Sequence, residues 1–221
     1  MYLLIPPARI ARLFAGVFLH NCIEWCNYIN MKRKRSIVLF DGSNFYFKLK
    51  DLRLHNLLDF NLSRFVADLS HDSILESSYY YVGEVKTDTT KKSKELHSLQ
   101  QKLLAHLKKH NIRYTLGYLL KSNGTFHEKG VDVHIATDIL VAAYEDTADH
   151  IIVISSDTDL IPAILRAKKQ GKTVEYIGFK HMASKAMVRN CSKYRLFTKE
   201  ELKKYIVSQP KKKSAQKSPL S

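Results

Sequence analysis

The chain has 221 residues, 45% hydrophobic and 26% charged, which is enough to bury a core without disulfide or metal cross-links. Its formal net charge is +15, from 36 Lys/Arg against 21 Asp/Glu. A basic balance of this size favours a polyanionic partner such as nucleic acid; basic ends that only keep the protein soluble are the alternative.

The two ends of the chain differ in composition from its middle. Residues 1–35 are apolar and then basic, and their longest uncharged stretch, Leu13–Ile23, is too short to span a bilayer. We expect residues 1–35 to be an N-terminal extension without a firm membrane role; an amphipathic helix on a membrane surface is the alternative. Residues 36–208 have the patterns of one folded domain, and residues 209–221 are Lys/Ser-rich and predicted to be a basic disordered tail.

Within residues 36–208, short apolar runs alternate with amphipathic stretches. The predicted strands are Ser36–Phe40, Ser78–Val85, Ile112–Leu120, His150–Ile154, Thr173–Ile177 and Arg195–Phe197. The predicted helices are Phe45–Leu52, Asn61–Leu69, Lys91–His110, Val131–Tyr144, Thr158–Gln170, Ala183–Asn190 and Lys199–Ile206. Leucines at helical spacing are expected to form the core stripe of the third helix: Leu96, Leu99, Leu103, Leu104 and Leu107. The alternation predicts an α/β fold with a mostly parallel sheet and helices on both faces.

Aspartates follow two of the predicted strands. Asp41 ends the first strand, and Asp157 and Asp159 come after a buried strand and two serines. Because the carboxyl ends of parallel strands lie at one edge of a sheet, we expect these carboxylates to lie close together. Asp132, at the start of a predicted helix, suits the same site, whereas Asp138 lies nearly two turns deeper in that helix.

Carboxylates that converge in one pocket repel each other unless a cation is present. Mg²⁺ and Mn²⁺ prefer oxygen ligands and leave positions for water and phosphate, so such a site suits phosphodiester cleavage. Simpler interpretations stay open for each residue. Asp157 or Asp159 could cap a helix, Asp138 could be a solvated helix residue, and Asp41 with Gly42 could form a strand-exit turn.

Three ordered motifs carry a family resemblance: IVLFDGSNFYF, KGVDVHIATDIL and HIIVISSDTDLIPAILRAKKQGKTVEYIGF. They resemble the NYN domain, of the LabA-like branch of the PIN-like nuclease superfamily, over about residues 36–197. The resemblance implies a Rossmann-like three-layer αβα sandwich and a ribonuclease that depends on Mg²⁺ or Mn²⁺. The implied partner is single-stranded or structured RNA. By motif match, the implied catalytic and metal-binding residues are Asp41, Asp132, Asp157 and Asp159.

The same match implies supporting roles for Asn44, Asp138, Ser155 and Ser156. Asn44 and the two serines could hold a water or a phosphate. Members of the family often have Gly where this chain has Ser156, and the extra Cβ puts a close approach of phosphate at this point in doubt. Three lysines are candidates for RNA binding: Lys129, Lys121 and Lys180.

Other functional classes fit the sequence less well. No GxG fingerprint for a dinucleotide occurs among the eight glycines. A phosphatase of the haloacid dehalogenase type would need a second aspartate at position 43, which is Ser43. The alternative function is an RNA-binding or regulatory adaptor module on a nuclease fold, with weak or no catalysis. The three cysteines are odd in number and lack the spacing of a disulfide framework, which favours a reducing compartment. We therefore expect a cytoplasmic protein. A homo-oligomer is left open.

Deleting residues 1–30 tests the interpretation of the N-terminal extension. We expect the protein that begins at Met31 to express as a soluble, folded domain, because the strand and helix patterns begin after this point. Circular dichroism and cooperative thermal unfolding measure the fold. Loss of soluble, cooperatively unfolding protein would contradict the interpretation.

Overall fold

The computed structural model describes residues 34–54, 56–86, 90–122 and 125–207, with the backbone alone considered at 119–122 and 125–128. Most of the predicted N-terminal extension and the predicted tail, 209–221, lie outside these ranges. So do Asn123 and Gly124, a residue pair that predicts a hairpin turn. The division of the chain into extension, domain and tail therefore stays a prediction.

Seven strands form one sheet within the described residues, in the order β4-β3-β2-β1-β5-β6-β7. Their bounds are Arg35–Asp41 (β1), Ile74–Gly83 (β2), Arg113–Ser122 (β3), Thr125–Lys129 (β4), His150–Ile154 (β5), Thr173–Phe179 (β6) and Lys193–Phe197 (β7). Every neighbouring pair is parallel except β3 and β4, which form an antiparallel pair. The predicted mostly parallel sheet is thereby confirmed.

The α-helices cover both faces of the sheet. They are Gly42–Asp51 (α1), Leu62–Leu69 (α2), Lys91–Lys109 (α3), Val131–Tyr144 (α4), Ile161–Lys169 (α5), Lys185–Asn190 (α6) and Lys199–Lys203 (α7). Alternate residues of the central strands enter two separate cores, one with α1, α2, α3 and α7 and the other with α4, α5 and α6. This is the expected three-layer sandwich. No helix in the described ranges is both long and apolar enough to cross a bilayer.

Aromatic rings hold α1 against the sheet. Phe45 is fully buried, and its ring lies 5.4 Å from that of Phe40 on β1 and 6.0 Å from that of Phe65 on α2. Phe60 completes the group at 5.6 Å from Phe45. Pairs of this kind add about 0.5–1.5 kcal/mol each beyond the area that they bury. The first turn of α1 is therefore held firmly where it follows β1.

The predicted core stripe of α3 is wrong in its first half. Leu104 and Leu107 are buried, but Leu96 and Leu99 are exposed. The latter two line a groove with residues of α1, rather than packing beneath the sheet. Leucine spacing identified an apolar helix face, but the neighbouring elements cover only its second half.

The predicted helix Thr158–Gln170 also begins differently. Residues Thr158–Leu160 form a 3₁₀ turn, and α5 proper starts at Ile161, with Pro162 in its first turn. Proline is favoured there because it lacks the N–H that an α-helix leaves unpaired at its start. The segment after β5 is thus a tight turn rather than a continuous helix.

A buried ion cluster ties three neighbouring strands together. The carboxylate of Glu175 on β6 lies 2.8 Å from Nε2 of His150 on β5 and 2.5 Å from Nε of Arg195 on β7. Arg195 also donates to the carbonyls of Asp68 and Leu69 near the end of α2. Burial alone would raise the pKa of Glu175, but the hydrogen bond from His150 and the charge of Arg195 outweigh it and hold the pKa below its usual value.

Replacing Glu175 by glutamine should destabilise the protein at neutral pH. Because the native pKa is lowered, the ionised carboxylate stabilises the fold above the unfolded-state pKa, and this contribution is lost as the pH falls through the native pKa. We expect Glu175→Gln to lower the free energy of unfolding by about 2–3 kcal/mol at pH 7. The difference from wild type should narrow on acidification.

Chemical denaturation at pH 7 and at lower pH measures this effect. Glu145→Gln is the matched control, because Glu145 is an exposed carboxylate at the end of α4. Equal stabilities of wild type and Glu175→Gln at pH 7, or a difference that grows on acidification, would contradict the role given to Glu175.

Candidate active site

Asp41 lies at the junction of β1 and α1. It is 5% exposed and caps α1, with Oδ1 accepting a hydrogen bond from the backbone N–H of Asn44 at 3.0 Å. Its Oδ2 accepts a hydrogen bond from Oγ of Ser155 at 2.7 Å. Both carboxylate oxygens thus have donors, which fixes the orientation of the group.

The residue after Asp41 has to be glycine because of its neighbours. A Cβ at Gly42 would lie 2.3 Å from Cε1 of Tyr80 and 2.6 Å from the carbonyl oxygen of Tyr81. Tyr80 also donates its hydroxyl to the Gly42 carbonyl at 3.2 Å. The Asp-Gly pair therefore allows α1 to start directly against β2, so that Asp41 keeps its place at the sheet edge.

The end of β5 supplies the second part of the site. The backbone N–H of Asp157 donates to Oγ of Ser155 at 3.1 Å, so this buried serine bridges Asp157 and Asp41. The backbone N–H of Ser156 donates to Oδ1 of Asn44 at 3.2 Å. Because β1 and β5 are adjacent and parallel, their ends are joined by these short bonds.

Ser156, at the position where the family resemblance leads us to expect glycine, has its hydroxyl 2.9 Å from that of Tyr176 on β6. Its side chain therefore contacts β6, and its backbone N–H still reaches Asn44. The substitution leaves Asn44 and Asp157 connected to the end of β5.

The third part of the site comes from the start of α4. Gly130 adopts a left-handed conformation (φ 84°), which lets the chain turn from β4 into the helix. Val131 is buried, and Asp132 is an exposed residue of the first helical turn. The KGVD motif thus places an acid at the same sheet edge as Asp41.

Three carboxylates meet at this edge: those of Asp41, Asp132 and Asp157. Each offers one oxygen atom, and the three oxygens lie within 4.8 Å of one another. Hard divalent ions bind oxygen ligands at about 2.0–2.6 Å, so atoms at these separations can share one ion. The donor set therefore fits Mg²⁺ or Mn²⁺.

The remaining predicted acids lie outside this group of three. Asp159 is exposed, and its backbone N–H donates to Oδ1 of Asp157 at 2.9 Å, so Asp157 caps the 3₁₀ turn as well as facing the other acids. Asp138 accepts a hydrogen bond from the hydroxyl of Tyr81 at 2.5 Å and lines a different pocket. Burial and this hydrogen bond raise the pKa of Tyr81. Asp138 is thus held by a structural contact.

The three predicted RNA-binding lysines lie on different elements of the fold. Lys129 is exposed at the end of β4, and Lys180 is exposed in a short turn after β6. Lys121 lies in β3, where the backbone alone is described. Neither Lys129 nor Lys180 lines the acidic cavity.

The acids line an open cavity of about 410 Å³. Its other lining residues include three that the sequence did not single out for the site: Lys48, Asp51 and Met182. Phe47 also lines it. Asn44, Phe47, Lys48 and Asp51 share one face of α1, at spacings of three, four and seven residues. Helical spacing from Asn44 predicts this face, but only if the helix is known to begin directly after Asp41.

Comparisons with known proteins identify the family of this chain. A family model, the NYN domain, matches residues 35–198, which is more than half of the chain. This chain belongs to the NYN domain family. NYN domains are a family of PIN-like nucleases, so the predicted family is confirmed; the LabA-like branch stays a prediction. No curated protein matches the sequence significantly.

Solved structures resemble the fold of this NYN domain. One is a protein of unknown function from Vibrio parahaemolyticus, VPA0982, with a TM-score of 0.55 and 17% identity over 76% of this chain and 95% of that one. Another is a zinc-bound T5 5′-exonuclease, with a TM-score of 0.37 and 15% identity over 70% of this chain and 60% of that one. At these identities the likeness to the Vibrio protein shows the fold alone.

Two neighbouring serines give a matched test of this site. Ser155→Ala removes the hydroxyl that bridges Asp41 and Asp157, so we expect the affinity for Mn²⁺ to fall about tenfold or more while the fold persists. Ser156→Ala removes only the contact with Tyr176 and should change the affinity far less. Isothermal titration calorimetry measures both. Equal affinities of the two variants would contradict the bridging role of Ser155.

Proposed function

We propose that this NYN domain is a divalent-metal-dependent ribonuclease that hydrolyses RNA phosphodiester bonds. The observation that carries the proposal is the meeting of three carboxylates, from β1, β5 and α4, within 4.8 Å in a chain of a nuclease family. The net charge of +15 suits a polyanionic substrate. The choice of RNA rests on the family resemblance of the motifs.

In this proposal Asp41, Asp132 and Asp157 hold Mg²⁺ or Mn²⁺. A bound ion of this kind supplies charge stabilisation for the phosphoryl transition state and an activated water. Ser155 fixes the carboxylate of Asp41 by donating to it, and it holds the backbone of Asp157 by accepting its N–H. We place Asp159 at the outer side of the site, where it supports Asp157 through its backbone and adds negative charge.

Other residues of the cavity suit contacts with the substrate. Asn44 lines the cavity, and Ser156 holds its side-chain oxygen, so the orientation of the amide is fixed. Lys48 brings a positive charge to the same cavity, where a phosphate would come close to the acids. Lys129, Lys180 and Lys121 stay candidates for the more distant path of the RNA. The cytoplasm stays the proposed compartment.

Cleavage of a labelled single-stranded RNA tests the proposed function. We expect Mn²⁺ or Mg²⁺ to support cleavage and EDTA to stop it. Asp157→Asn should lower the rate by about 100-fold or more, because direct ligands matter more than their supporting residues. Asp159→Asn is the matched control, two residues away and outside the group of three, and should lower the rate clearly less.

Two results would contradict the proposal. Salt-dependent binding of RNA without cleavage by wild-type protein at any Mg²⁺ or Mn²⁺ concentration would favour the adaptor function. Cleavage that survives both EDTA and Asp157→Asn would show that the acids do not carry the reaction. Circular dichroism of each variant verifies that the fold is intact.

A further inference from the structure

The rim of the acidic cavity carries two exposed apolar side chains. Phe47, on α1, is 56% exposed, and Met182, in the turn after β6, is 50% exposed. Both line the cavity that holds Asp41, Asp132 and Asp157. Apolar side chains that stay in water beside carboxylates do not stabilise the core, so they are available to a ligand with an apolar face.

Phe47 differs from the two aromatic residues that precede it. Phe45 is fully buried in the core, and the ring of Tyr46 is half-buried, 5.5 Å from that of Phe47 at 66°. Phe47 also borders the apolar groove between α1 and α3, which the exposed leucines Leu96 and Leu99 line. The ring thus lies between the acidic cavity and an apolar surface.

The two rim elements are linked to each other. Nζ of Lys48 donates to the carbonyl of Met182 at 3.4 Å, and Nε2 of His181 lies 3.9 Å from Oδ2 of Asp51. These contacts join α1 to the turn after β6 beside the cavity. Phe47 therefore lies on a helix that is anchored both to the core, through Phe45, and to the turn that carries Met182.

We propose that Phe47 stacks an unpaired RNA base next to the phosphate at the acidic cavity, with Met182 as an apolar contact from the second rim element. In RNA, each base has an apolar face and lies within one nucleotide unit of a phosphate. This pairing matches the ring of Phe47, which lies beside a group of acids that suits a metal ion. A base within a duplex has both faces covered by its neighbours. Phe47 therefore selects single-stranded over double-stranded RNA, which deepens and rests on the proposed function.

Binding of matched RNAs tests this role. In the Asp157→Asn background, we expect Phe47→Ala to weaken the binding of a short single-stranded RNA about tenfold. Phe47→Trp should keep the affinity of the parent protein. Phe47→Ala should change the binding of the same strand in a blunt duplex only a little. Tyr144→Ala is the matched control: Tyr144 is an exposed aromatic residue at the far end of α4 from Asp132.

An RNA series with one abasic nucleotide gives a second readout. At the position that Phe47 contacts, the abasic site should weaken wild-type binding and remove the difference from Phe47→Ala. Phe47→Ala and Tyr144→Ala proteins with equal RNA affinities would overturn the stacking role, even if wild-type protein cleaves RNA. Phe47-dependent binding without cleavage by wild type would leave stacking intact and overturn the nuclease proposal. Absence of any RNA binding would overturn both.

Discussion

The hydrogen bond from Ser155 to Asp41 is the contact on which the site depends most. It joins the ends of two adjacent parallel strands, and the same serine hydroxyl accepts the N–H of Asp157. Asp41 is also held from the other side by the first turn of α1. Like charges brought this close repel each other, so the site requires a scaffold that fixes each carboxylate before any ion arrives.

The scaffold supplies this rigidity from both layers of the sandwich. On one side, Phe45 packs among Phe40, Phe60 and Phe65 and keeps α1 at the end of β1. On the other, α4 reaches the same edge through the left-handed turn at Gly130. In the spatial order of the sheet β1 lies between β2 and β5, so the chain leaves it in opposite directions on its two sides. Ligands of open α/β sheets bind at such a point.

Much of this could be predicted from sequence, because strand ends and turn residues are local signals. The alternation of strands and helices predicted the parallel sheet, and the DGSN, KGVD and SSDTD motifs placed the three acids that meet. Periodicity could not show which apolar residues stay uncovered, as Leu96, Leu99 and Phe47 demonstrate, because covering depends on distant elements. Position in the helix favoured Asp132 over Asp138, but the hydrogen bond from Tyr81 that holds Asp138 depends on the packing of α4 and could not be predicted from spacing.

The central claim is that Asp41, Asp132 and Asp157 bind one divalent cation. A crystal structure of the protein soaked in Mn²⁺, with the anomalous signal of manganese used to locate the ion, tests it most directly. We predict a manganese peak within coordination distance of all three carboxylates, with Ser155 still bonded to Asp41. Carboxylates that point apart, or manganese that binds only elsewhere, would contradict the account.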